Sequence, residues 1–285
     1  LLARRLAWCG LTESLIRQRK FAEAHRVLSG LIDCSGPTAN RGSELAMAHV
    51  LAARVCLYQG LRHEADEHVL KAKLNASVQS SGLLQAAVAL SQDYLLLSAF
   101  AGTLEVEKLI RRDLKAERLE DAALHAALDT ACGDACVALG RYRKAKRHYQ
   151  LAEQLLNSAN QSADVELCRL YLGMYLLSYL TALPGEAGSS AHLLRQAERR
   201  STGDVRLSKR LRLEIERQKA LVSLLNGNEK LCREQLAAQV SQWRDQPGCQ
   251  IEAAKSYRLA AGFATDNLQQ EFLARAGRLY EDWLG

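Results

Sequence analysis

Residues that could do chemistry are sparse in this chain of 285 residues, and those present are spaced for helices. His63, Glu64, Glu67 and His68 set His63 against Glu67, and Glu64 against His68, four positions apart. A metal ion can bridge such pairs, but exposed i,i+4 charge pairs on an outer helix account for them more simply. Cys132 and Cys136 are also four apart. Ala131, Ala135 and Val137 beside them mark the inside of a helix, where thiols pack as small apolar groups. No metal set and no cofactor is therefore expected. The sequence has no Gly-rich phosphate loop, no Gly-x-Ser-x-Gly elbow, no His-Glu-x-x-His and no Cys-x-x-Cys, so the expectation is a protein that is not an enzyme.

The best binding candidate is a stripe of rings. Tyr171, Tyr175 and Tyr179 recur every four residues along one helix, with Leu172, Met174, Leu176 and Leu177 completing its apolar surface. Tyrosine offers an apolar body and a polar tip at low entropic cost, as binding surfaces exploit; the competing use is packing between helices with the hydroxyls at the rim. Two basic clusters remain, Arg141, Arg143, Lys144, Lys146 and Arg147, and then Arg195, Arg199, Arg200, Arg206, Lys209, Arg210 and Arg212. Tyr142 is the single aromatic within the first cluster, short of the interleaving of single-strand binding, and Glu198, Asp204, Glu214 and Glu216 dilute the second. They are expected to be solvated outer faces, with nucleic acid not a partner of this segment.

The elements that must position these residues follow from composition. Hydrophobic residues make up 48% of the chain, mostly Leu and Ala, while aromatics are 6% and Pro occurs three times; that supply favours helices over sheets. No apolar run reaches the ~18 residues of a membrane span. Eight cysteines fall within apolar helical patterns and are expected as free buried thiols, which with the absence of a secretory leader points to a reducing cytoplasm. The start, Leu1-Leu2-Ala3-Arg4-Arg5, is expected to be the first turn of a helix in a fragment of a longer chain, with an open apolar end that favours some self-association. The net charge of +6 is modest against 70 charged residues, and it neither requires nor excludes an anionic partner.

Self-similarity near 40 residues is the most informative pattern. Mid-chain, Cys136, Val137 and Leu139 are followed by Gly140, Tyr142, Ala145, Tyr149 and Ala152, the spacing of two helices meeting at a tight turn. The same order recurs in Trp8, Leu11 and Leu15 with Phe21, Ala24, Leu28 and Leu31, and in Leu57 and Gly60 with Ala65, Val69 and Ala72; weaker copies surround Gly102 and Gly227. The small residues Ala24, Ala65 and Ala145 lie 41 and then 80 residues apart. Trp8 with Leu11, the Gly140-x-Tyr142-x-x-Ala145-x-x-x-Tyr149-x-x-Ala152 run, and Pro37 after the first pair resemble the tetratricopeptide repeat (TPR). The period departs from the roughly 34 residues of that repeat, and is similar to the TPR-like domains of large bacterial transcription activators of the LuxR/MalT type.

Period and breakers together predict seven helix pairs, at 4–18 with 21–32, 43–59 with 62–75, 83–100 with 103–118, 121–138 with 142–157, 162–182 with 188–200, 205–225 with 229–243, and 249–261 with 266–282. Pro37, Pro184 and Pro247 fall between helices, and Asp204 and Asn228 stand at N-cap positions. The segment 183–190 is the longest joint and is not taken as a domain boundary. The resemblance implies one all-α domain over 1–285, a right-handed superhelical solenoid of about seven antiparallel pairs, whose first helices line a concave surface. That frame exposes Arg54, Gln92, Asp134 and Arg217 there, with Tyr171, Tyr175 and Tyr179. Its implied function is a non-enzymatic binding and sensing module of a bacterial regulator that takes a protein, peptide or small effector. The alternatives are a passive scaffold or chaperone-like adaptor, and an accessory to chemistry elsewhere in a parent chain.

Overall fold

A computed structural model describes residues 2–33, 42–76, 81–97, 99–110, 121–158, 164–181, 191–200, 205–243 and 249–284. Among them the fold is all-α, in fourteen helices: α1 (Leu2–Arg17), α2 (Phe21–Asp33), α3 (Gly42–Tyr58), α4 (Arg62–Asn75), α5 (Ser81–Leu96), α6 (Phe100–Ile110), α7 (Ala122–Ala138), α8 (Tyr142–Ser158), α9 (Asp164–Thr181), α10 (Ala191–Arg200), α11 (Val205–Leu225), α12 (Glu229–Trp243), α13 (Cys249–Ala261) and α14 (Asp266–Leu284). No described helix is long and apolar enough to cross a membrane. Pro37, Pro184, Pro247, Asp204, Cys34 and the 183–190 joint lie outside the described residues, as do the side chains of Cys249, Arg206, Lys209 and Arg210.

The chain forms two compact units, Leu1–Ala135 and Cys136–Gly285. In the first, α1 packs on α2, α3 on α4 and α5 on α6, and the first helices α1, α3 and α5 pack on one another in series. Small residues permit the close approach: Ala24, Ala65 and Ala72 are fully buried, with Leu28, Val69 and Leu83 around them. The second unit repeats the scheme with α9 on α10, α11 on α12 and α13 on α14, linked through α9, α11 and α13. Ala145, Tyr149 and Ala152 of α8 form its buried stripe.

Three first helices end in the same way. Gly60, Gly140 and Gly227 have φ of 77°, 67° and 75°, the left-handed region where a Cβ is penalised. Around each, paired bonds close the helix: Gly60 N–H to Leu57 O with Leu61 N–H to Cys56 O, Gly140 to Val137 with Arg141 to Cys136, and Gly227 to Leu224 with Asn228 to Ser223. This is the Schellman cap, and it turns the chain into the second helix of the pair. Asn228 then caps α12, its Oδ1 accepting the Leu231 N–H at 3.2 Å. The first pair uses the same geometry without a glycine. Arg19 has φ 64° while Arg19 and Lys20 donate to Ile16 and Leu15. Replacing Arg19 by glycine is therefore expected to raise stability by about 0.5–1 kcal/mol, measured as a rise in the urea midpoint; a fall would show that the Arg19 side chain contributes more than its backbone strain costs.

One pair differs from the sequence expectation. The period predicts a helix over 83–100 followed by one from 103; instead α5 ends at Leu96 and α6 begins at Phe100, with Gly102 inside it. Glycine is needed there for proximity: a Cβ on Gly102 would lie 2.2 Å from the Tyr94 ring. In the second unit Gly173 of α9 plays the same part, where a Cβ would meet the Tyr149 hydroxyl at 2.7 Å.

Candidate functional site

Polar side chains link equivalent positions of successive pairs. In the first unit Arg54 of α3 donates through Nε to Asp93 Oδ2 of α5 at 2.6 Å, and through Nη1 to Glu13 Oε2 of α1 at 2.5 Å. The Tyr58 hydroxyl donates to the other Asp93 oxygen at 2.6 Å, and its ring stacks on Phe21 at 5.1 Å. The partners of Arg54 stand 41 residues before it and 39 after it, one sequence period each way. Ser81 and Asp121 are joined across 40. Burial opposes the Arg54 charge, but Asp93 and Glu13 more than compensate and push its pKa up. Burial, followed by Asp93, holds the Tyr58 hydroxyl well above its ordinary value, so it stays a donor.

The second unit carries a related ladder on α9, α11 and α13. Arg169 lies 3.5 Å from Glu214, and Arg217 lies 3.5 Å from Glu252. Burial raises the Glu214 pKa, and the guanidiniums of Arg169 and Arg217 pull it back below the ordinary carboxylate value. Each ladder thus sets acids and arginines side by side along successive first helices. Buried ion pairs of this kind constrain the register of one helix pair on the next.

This placement corrects the expected exposure of two residues. Arg54 and Arg217 are 7% and 6% exposed, because each finds an acid on the next first helix and can leave water. Gln92 and Asp134 are half-buried, and Asp134 has interactions of its own. The tyrosine stripe is divided. Tyr175 is buried; Tyr171 is half-buried and packs with Cys168, Leu172, Ala197 and Ile215; Tyr179 is half-buried and its hydroxyl donates to Asn226 Oδ1. The stripe thus packs α9 against its neighbours and presents no continuous platform. Among the basic residues, Arg141, Arg143, Lys144, Lys146 and Arg147 are all exposed, as a solvated face should be. The described cysteines, Cys9, Cys56, Cys132, Cys136, Cys168 and Cys232, are all buried thiols outside any disulfide.

The histidine cluster separates into two. His63 and Glu67 form the expected exposed i,i+4 pair at 3.4 Å. His68 turns inward instead, its Nδ1 lying 3.0 Å from Nδ1 of His49 on α3.

A concave feature that the sequence reading missed lies among α12, α13 and α14. It is a cleft of about 360 Å³, within the range of small-ligand sites. Val240 and Leu279 give it an apolar floor, and Ser241, Tyr257, Arg275 and Arg278 supply polar groups. Arg275 sits over the Tyr257 ring, 5.9 Å from its centroid, and reaches Glu271 at 3.5 Å. Arg278, one turn further, is exposed and makes no ion pair among the described residues. The sequence signal was only two arginines three apart on α14, and Glu271, Glu281 and Asp282 around them hid it.

Stacked helix pairs joined by ladders of buried charge, with an arginine-lined cleft near the end of the second unit, define an all-α helical protein. Compared with known proteins, the chain matches no protein family, no curated protein and no solved structure.

Proposed function

We propose that this chain is a non-enzymatic, TPR-like binding module, the sensing part of a bacterial regulator, and that it binds an anionic effector through Arg275 and Arg278. The observation that carries the reading is the cleft: two guanidiniums three residues apart on α14, a tyrosine and a serine, all above an apolar floor. Arginine matches carboxylate and phosphate geometry by presenting paired donors. The floor favours a ligand with an apolar body, and the volume suits one of a few hundred daltons. The ladders support a sensing role. Neighbouring pairs held by discrete ion pairs have defined arrangements, and a ligand that prefers one of them shifts the population by its differential affinity.

The test is native mass spectrometry on the freshly purified protein and on Arg278→Glu. A retained adduct of a few hundred daltons on the wild type, lost from the variant with its helicity intact, supports the reading. A co-purifying protein lost from the variant moves the assignment to the scaffold alternative. Identical spectra, bare or loaded, overturn a role for the cleft.

A further inference from the structure

Provided that the cleft among α12, α13 and α14 is the effector site, a reading on which this selectivity rests, its charges decide which anion it takes. Two charged side chains line it, Arg275 and Arg278 of α14, and they are not equivalent. Arg275 lies over the Tyr257 ring and has a carboxylate of its own, Glu271 at 3.5 Å. Glu271 also pairs with Arg233 of α12 at 3.1 Å, and Arg233 in turn reaches Glu229 at 3.7 Å. Arg278 is exposed and has no ion pair among the described residues. Three arginines therefore stand against two glutamates, and the one positive charge in excess is that of Arg278.

An arginine fork matches a carboxylate and a phosphate alike in geometry, so charge must discriminate between them. A single carboxylate neutralises Arg278 and leaves nothing over. A phosphate monoester carries about −1.5 to −2 at neutral pH, and a dicarboxylate carries its second charge on the far end of its chain. Either surplus would face the apolar floor of Val240 and Leu279 without a cation to pair with. Glu271, and Glu281 and Asp282 exposed one turn beyond Arg278, oppose it further. Burial, which outweighs the neighbouring Arg275, holds the Tyr257 hydroxyl above its ordinary pKa, so this wall of the cleft stays uncharged. The floor rewards an apolar tail instead, by about fourfold in affinity for each methylene fully buried.

We propose that the cleft selects a monocarboxylate with an apolar tail over phosphate esters and dicarboxylates. Arg278 supplies the charge that the carboxylate neutralises, and the tail lies on Val240 and Leu279. Arg275, already matched by Glu271, contributes donors beside the head group and no excess charge.

The experiment is calorimetric titration of the full chain with octanoate, acetate, octanedioate and octyl phosphate at one ionic strength. Octanoate should bind one to one, at least about tenfold more tightly than octanedioate or octyl phosphate, and more than about tenfold more tightly than acetate, which has no tail. Arg278→Gln should weaken octanoate about tenfold or more, and Arg278→Lys should recover part of that loss. Glu271→Gln frees the charge of Arg275, so it should move the preference several-fold toward octyl phosphate, a change that a purely structural role for Glu271 would not produce. Octyl phosphate or octanedioate binding as tightly as octanoate, with both lost in Arg278→Gln, overturns the selection and leaves the cleft an anion site. An unchanged preference in Glu271→Gln overturns the charge balance behind the selection. Binding of none of the four, or octanoate binding that Arg278→Gln leaves unaltered, overturns the cleft reading as well.

Discussion

Asp93→Ala is expected to cost about 3–5 kcal/mol of folding stability. Asp93 and Arg54 are each 9% exposed at the side chain, and Asp93 accepts from both Arg54 and Tyr58. Removing the carboxylate leaves a buried guanidinium that keeps only Glu13, whose side chain is 30% exposed, and strips the Tyr58 hydroxyl of its acceptor. The penalty comes chiefly from desolvated groups left behind, not from the lost attraction. Two controls separate these terms. Asp93→Asn keeps the acceptor for Tyr58 and should lose less. Replacing both members, Arg54→Met with Asp93→Leu, removes the orphaned charge and should recover most of the loss. Urea unfolding followed by far-ultraviolet circular dichroism measures all three; a loss below about 1 kcal/mol for Asp93→Ala would place the pair among solvated surface bridges.

The second large effect is at Tyr94. Its ring is fully buried and packs against Gly102, and its hydroxyl donates to Asp66 Oδ1 at 2.8 Å. Tyr94→Ala should cost about 3–5 kcal/mol, as other large aromatic truncations do. Gly102→Ala should cost about 1–3 kcal/mol, because its methyl would enter the space of a ring that has nowhere to move. The informative quantity is the double variant. Once the ring is gone the methyl occupies vacated space, so the two losses should sum to clearly more than the double variant shows. Strict additivity would mean that ring and glycine do not share the site.

Much of the fold was legible. The expected helices 62–75, 205–225, 229–243 and 249–261 coincide with α4, α11, α12 and α13, because Gly60, Gly227 and Asn228 act locally through caps and positive φ. The failure at Gly102 is equally physical. A glycine that permits a turn and one that makes room for a ring look the same in sequence, and only the position of Tyr94 in space tells them apart. Side-chain exposure was less legible. The repeat frame, which sets the first helices on a concave surface, places Arg54 and Arg217 outward, yet both are buried because their partners lie about one repeat away in sequence. A signal was present: Glu13, Arg54 and Asp93 alternate in sign at nearly the repeat spacing. The His49–His68 pair gave none, since a contact across a helix hairpin depends on which faces meet.

The buried thiols give the molecule a set of built-in clocks. Cys9, Cys56, Cys168 and Cys232 sit on α1, α3, α9 and α12, with Cys132 and Cys136 on α7. Burial above all pushes the pKa of Cys9 and Cys232 up to about 11 and that of Cys168 to about 12. A protonated, covered sulfur reacts with an alkylating reagent only when its helix pair opens. Each labelling rate then times the opening of its own stretch of chain, and peptide mapping of the modified sites orders the pairs by how often they come apart, with no probe introduced from outside.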